Sequence, residues 1–190
     1  MLTKRRTLLA AAGTLAAGLS LRKLRAQDGT QEAPPPRTLL GLSGMIPATP
    51  PAPPPAFGFR TADGQARTLA DYAGKGVVLN LWATWCMPCV AELPDLAAMA
   101  AKLADQGVVV LPLSSDHGGA AAVEAFFARH DIKGLPVLLD PDGAAARTLG
   151  ARGIPTTLVI DRQGREQGRV EGAVHWAAEE TETRLLKLVG

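Results

Sequence analysis

Cys86 and Cys89 are the only cysteines of the chain, and only Met87 and Pro88 separate them in the stretch WATWCMPCVAELP. Two thiols this close can form a structural staple, supply half of a metal site, or open and close as a redox couple. A staple gains most when it closes a long loop, and a two-residue gap gives the smallest gain. A structural zinc wants four protein ligands. The only histidines are His117, His130 and His175, which have no paired spacing. The redox reading gains from what surrounds the pair.

The stretch VVLNLWA (77–83) is an apolar run of buried-strand type. From Cys86 to about Gln106 apolar residues recur at helical spacing (Val90, Leu93, Leu96, Ala97, Ala100, Leu103, Ala104), and Gly107 is a suitable terminator. The cysteines therefore stand at a helix N-terminus, where unpaired N–H groups and the helix dipole favour an anion. That position lowers the pKa of a thiol, and the thiolate is the attacking species. Pro88 falls in the first turn, where proline costs no hydrogen bond. Cys86 is expected to be exposed and to attack a disulfide. Cys89, one turn further in, is expected to be shielded and to resolve the mixed disulfide.

Other elements must position this pair. VVVLPLS (108–114) reads as the next strand, Val123–His130 as part of a helix, and LPVLLD (135–140) as a short extended segment. Ala144–Leu149 reads as a short helix, and TTLVID (156–161) with EQGRVEG (166–172) as a hairpin around RQG. His175–Leu188 reads as a closing helix. Strands alternating with helices, then a hairpin and a helix, indicate an α/β domain with a mixed sheet flanked by helices. Residues 57–190 suffice for one such core. Apolar residues are 47% of the chain but aromatics only 4%, so the core is expected to be rich in Ala, Val and Leu.

The first 56 residues differ in kind. Residues 1–26 carry Lys4, Arg5, Arg6, Arg22, Lys23 and Arg25 and no acid. The remainder holds 14 basic and 18 acidic residues, a net charge of −4, which gives no electrostatic case for nucleic-acid binding. A basic start, a modestly apolar run from Leu8 to Leu21 and the small Ala26 read as an export signal. Arg5-Arg6 followed by Leu8 and Leu9 resembles a twin-arginine signal; a Sec signal with two arginines is the plainer reading. The run is short of the roughly 20 residues of a spanning helix. Leu24 makes a poor cleavage site, so the segment is read as a cleaved signal or as an anchor. Residues 27–56 include nine prolines and read as a semi-rigid spacer. Membrane association is expected only through residues 1–26.

The stretch NLWATWCMPCVAELP resembles the active site of the thioredoxin superfamily. More closely, it resembles the TlpA/ResA-like branch of exported thiol–disulfide oxidoreductases, over about residues 57–190. The resemblance implies a thioredoxin fold with an extra strand and helix between its halves, in about Val108–Arg152. It implies a cis-proline facing the cysteines, assigned to Pro155 in GIPTT, with Ile154 offering backbone groups to an extended substrate strand. Pro94 matches the family's kinking proline. Trp85, Met87, Pro88, Ile154 and Pro155 are the expected substrate-binding residues, with Trp85 walling the sulfurs and Trp82 in the core. Thioredoxins proper carry a buried acid where this chain has Asn80, which cannot titrate. Glu92, three residues after Cys89 on the same helix face, matches the acid of ResA-like members. It is expected to accept the Cys89 proton, its pKa raised by burial.

The expected function is an exported, periplasmic or cell-envelope reductase of disulfides in partner proteins, with no cofactor beyond its own Cys86–Cys89 couple and no metal. By resemblance its substrates are apocytochrome c cysteines or a copper-site cysteine pair. Its electrons come from a transmembrane thiol reductase, since an oxidising compartment gives no free supply. A thiol oxidant or isomerase would use the same two cysteines, because the potential sets the direction. A thiol peroxidase is a further alternative, although its motif places a Thr ahead of a lone Cys. A copper chaperone using the thiols as soft ligands is the non-enzymatic alternative, although related proteins have three residues between the cysteines and a distal His.

Overall fold

A computed structural model describes residues 41–190. The expected signal over 1–26, and the spacer up to residue 40, lie outside the described residues. Eight strands run in the order β1 (Ile46–Ala52), β2 (Gly58–Thr61), β3 (Ala66–Thr68), β4 (Gly76–Trp82), β5 (Val108–Ser114), β6 (Leu138–Leu139), β7 (Thr156–Ile160) and β8 (Glu166–Glu171). The helices are α1 (Met87–Leu103), α2 (Gly119–Arg129), α3 (Ala144–Thr148) and α4 (Glu179–Val189). The strands form one mixed sheet, ordered β1-β8-β7-β4-β5-β6-β2-β3. β4 lies parallel to β5 and antiparallel to β7. Among the described residues no helix is long and apolar enough to cross a membrane.

Every residue of β4 is buried, as its continuous apolar run requires of a strand covered on both faces. Val78 and Trp82 face a core built with α1, α2 and α4; Val77, Leu79 and Leu81 face a second core containing Phe59, Ala145 and Leu149. By alternation Asn80 shares the α1 face with Val78 and Trp82. Trp82 is fully buried and stacks on Phe127 at 5.6 Å. α1 closes through a 3-10 turn onto Gly107, whose φ of 68° is left-handed, the conformation glycine adopts without steric cost.

Three expectations are corrected. The proline-rich stretch is folded in its described part: β1 pairs antiparallel with β8, with Pro47 opposite Gly168. The register shift between Pro47 and Ala52 takes up Pro50 and Pro51, and an edge strand needs N–H groups on one flank only. Leu42 and Met45, just before β1, are buried in the core, so the domain begins well before residue 57. The β2–β3 hairpin was not expected, although Asp63-Gly64 in its turn is a recognised hairpin signal. The last helix starts at Glu179 rather than His175, because residues 172–178 form an irregular connection with Val174 and Trp176 buried.

Gly168 admits β1 to the sheet. A Cβ there would lie 2.6 Å from the Ile46 carbonyl oxygen and 2.9 Å from the Met45 side chain. Gly168→Val is expected to cost about 1–3 kcal/mol, the range of overpacking, and to expose residues 42–52 to protease. Urea unfolding and limited proteolysis check this; wild-type values for both would remove β1 from the folded unit.

Candidate active site

β4 delivers the chain to the site. The Trp82 carbonyl accepts a hydrogen bond from Ser115 N–H (3.0 Å), and Cys86 N–H donates to the Ala83 carbonyl (3.1 Å), turning the chain into α1. Asp116, just beyond β5, clamps this turn. Its carboxylate accepts from Thr84 N–H (2.9 Å), Thr84 Oγ1 (2.6 Å) and Ser114 Oγ (2.8 Å). Neither Asp116 nor Thr84 was singled out from sequence; the available signal was an acid directly after a strand that had to run beside β4. Asp116→Ala leaves the Thr84 N–H without its partner. It is expected to lower stability by about 1–3 kcal/mol, with Asp116→Asn retaining part of it, as read by urea unfolding.

Cys86 caps α1: its backbone is extended and its Sγ accepts from Cys89 N–H at 3.3 Å. Cys86 and Cys89 are joined by a disulfide with S–S 2.09 Å. After reduction the same N–H, and the mouth of a 17-residue helix, stabilise a Cys86 thiolate. Cys86 is less open than expected, at 6% exposed against 0% for Cys89. Its sulfur points at the helix mouth and at Cys89 rather than outward. The exposed surface belongs to its neighbours, Trp85 at 66% and Met87 at 74%, with Pro88 beside them also exposed. Trp85 was expected to wall the sulfurs; it turns most of its surface to solvent instead. Pro94 sits inside α1, where it offers no N–H to the Val90 carbonyl.

The Ile154–Pro155 peptide is cis. The next residue, Thr156, pairs with Leu81, so Pro155 lies at the sheet end from which β4 leads into the cysteine turn. Pro155 is buried and Ile154 half-buried. The Pro155 carbonyl accepts from Gly172 N–H at 2.8 Å.

Glu92, one turn after Cys89, is 1% exposed. Its Oε1 accepts from Asn80 Nδ2 at 2.9 Å and its Oε2 from Val174 N–H at 2.7 Å. Asn80 Nδ2 also donates to Thr157 Oγ1 at 3.0 Å. Burial raises the Glu92 pKa from 4.5 to about 7, against the opposing pull of the Val174 and Asn80 donors and the Trp176 indole. A carboxylate with that pKa, one helical turn from Cys89, can act as a proton acceptor near neutrality. Asn80, which the sequence excluded as proton acceptor, is a hydrogen-bond partner of Glu92. Val174 and Trp176 carried no sequence signal for the site. Among the described residues no three His, Cys, Asp or Glu side chains group as a metal site would need.

The chain matches the AhpC/TSA family model over residues 51–165. It is 35% identical over 118 residues to the thiol-disulfide oxidoreductase ResA of Bacillus thuringiensis subsp. konkukian, covering 62% of this chain and 67% of that protein. It is 37% identical over 125 residues to the thiol:disulfide interchange protein DsbE of Pseudomonas aeruginosa, covering 63% of this chain and 65% of that one. The solved exposed lipoprotein thioredoxin Etrx1 of Streptococcus pneumoniae superposes with a TM-score of 0.56 at 34% identity, over 70% of this chain and 98% of that one.

Proposed function

From its place in the AhpC/TSA family of thioredoxin-fold proteins, to which the chain belongs as a thiol–disulfide oxidoreductase, we propose that it reduces disulfides in partner proteins outside the cytoplasm. The observation that carries this reading is the Cys86–Cys89 pair at the mouth of α1 with the buried Glu92 carboxylate one turn behind it. In the dithiol form the Cys86 thiolate attacks one sulfur of a substrate disulfide. The substrate S–S bond breaks, its departing thiolate takes a proton, and a Cys86–substrate disulfide forms. Glu92 removes the Cys89 proton. The Cys89 thiolate attacks Cys86 Sγ, the second substrate thiolate leaves, and the Cys86–Cys89 disulfide closes. Two electrons and two protons then return from a membrane thiol reductase.

Exposed Trp85, Met87 and Pro88 offer apolar surface around Cys86, and Ile154, held by the cis peptide to Pro155, offers backbone at the same end of the sheet. These are the proposed docking residues for an extended substrate segment. Export is supported by the basic and apolar leader over 1–26. By family resemblance the substrates are cysteine pairs of apocytochrome c or of a copper site.

Equilibration with glutathione, read by mass spectrometry after thiol alkylation, tests the direction. A reductase is expected to give a potential near that of thioredoxin, about −270 mV. A value near about −120 mV, the DsbA end of the scale, would make the chain an oxidant.

A further inference from the structure

Glu92 is enclosed by four elements. β4 contributes Asn80 and β7 contributes Thr157, neither of them titratable. α1 carries Cys89 one turn before it and Asp95 one turn after it. The remaining side is the irregular connection between β8 and α4, residues 172–178. There Val174 N–H donates to Glu92 Oε2 at 2.7 Å. Trp176 is 0% exposed, and its Nε1 has no hydrogen-bond partner within ordinary distance. The titratable residue of this connection, His175, is exposed. Beyond Trp176 lies a crevice of about 620 Å³, lined among others by Asp95, Lys102, Glu179 and Glu182. Two residues before Val174, Gly172 N–H holds the Pro155 carbonyl.

We propose that Val174 and Trp176 are positioning residues of the active site: the Val174 N–H and the Trp176 ring fix how readily Glu92 takes up and returns the Cys89 proton, in a segment that Gly172 ties to the Pro155 turn. The inference rests on Glu92 being the base of the proposed mechanism. The two residues act in opposite senses. A backbone donor favours the charged carboxylate; the Trp176 indole N–H pulls the same way but least of the three donors, while its ring, by keeping crevice water away, adds to the burial that is the largest influence on Glu92 and so on balance favours the neutral acid. Removing the donor raises the Glu92 midpoint; removing the ring lowers it. A residue with a purely structural role would alter stability without this opposition.

The test is an NMR titration of the full chain with its disulfide intact. In the unaltered protein the Val174 amide resonance is expected to shift with pH at the same midpoint as the Glu92 side-chain carboxyl carbon, and Glu92→Gln is expected to abolish that shift. Trp176→Ala is expected to lower the midpoint by about one pH unit or more, and Val174→Pro to raise it by a similar amount. The pH profile of the resolving step is expected to follow. A Val174 amide that stays flat through the Glu92 titration overturns the inference, and that reading needs no variant to fold. An unchanged midpoint in a folded Trp176→Ala protein overturns it as well. Failure of the base assignment shows separately: Glu92→Gln would leave the resolving rate unchanged while the Val174 amide still titrates in the unaltered protein.

Discussion

Replacing Cys86 with Ser is expected to abolish disulfide reduction, with a fall in turnover of at least about 10³-fold, since nucleophile removal in enzymes costs this much or more. The reason is local. Cys86 is the cysteine at the cap of α1, where its Sγ already accepts the Cys89 N–H, and it is the only one of the pair with any exposure. A serine hydroxyl can take the same hydrogen bond and hold the helix mouth. It cannot form the sulfur–sulfur bond on which the cycle depends. The substitution therefore separates chemistry from folding: a native circular dichroism spectrum is expected beside lost turnover, followed as reduction of a protein disulfide by the dithiol protein. Retained turnover would move the attack to Cys89, which is wholly buried in the disulfide form.

The second large effect is expected at Glu92. Glu92→Gln removes the group proposed to take the Cys89 proton. General-base catalysis contributes about 10²–10⁴-fold, and the resolving step is expected to slow by at least about 10²-fold near pH 7. In the unaltered protein that step should rise with pH and level off above about 7, the Glu92 pKa. The glutamine variant should lose this inflection and depend on direct ionisation of Cys89. Stability responds as well. Burial raises the Glu92 pKa from 4.5 to about 7, so between those values the folded chain holds a proton that the unfolded chain releases. Glu92's contribution to stability is thus full below about 4.5 and is lost as pH rises through about 7. The loss is about 3 kcal/mol by linkage. Gln presents an amide N–H₂ to one of the two donors now facing the carboxylate. The Asn80 side chain can answer by rotating its amide, because its Oδ1 has no partner. Urea unfolding at pH 4.5 and pH 8 should show the unaltered protein losing stability relative to Glu92→Gln; a constant difference would mean that the carboxyl ionises at its ordinary value.

The parts legible in the sequence are those governed by local pattern. The continuous apolar run of β4, the helical spacing after Cys86 and the turn signals around RQG each specify an element without knowledge of its neighbours. Glu92 could be placed on the face of Cys89 from its offset of three alone. What it bonds could not be read. The distance from Asn80 to Glu92 depends on how α1 lies over β4, and the Val174 N–H arrives from 82 residues further along the chain. The same limit hid Asp116, whose partner Thr84 is 32 residues away. β1 was unreadable for a different reason: proline suppresses the expectation of a strand, and only the neighbouring β8, with glycine at position 168, makes an edge strand there workable. The start of the last helix differs because His175–Ala178 holds no helix breaker, yet Trp176, like Val174 before it, is buried in an irregular connection against the core instead.

The proposed cycle divides the labour between the two sulfurs: Cys86 attacks and Cys89 resolves. The most direct measurement is intact-mass and peptide mapping of a Cys89→Ala protein, reduced and then mixed with a disulfide-bonded protein substrate. A stable one-to-one adduct joined through Cys86 is expected, absent from the Cys86→Ser protein and discharged by added dithiol. No adduct on Cys86, or disulfide reduction at the unaltered rate by the Cys89→Ala protein, would contradict it.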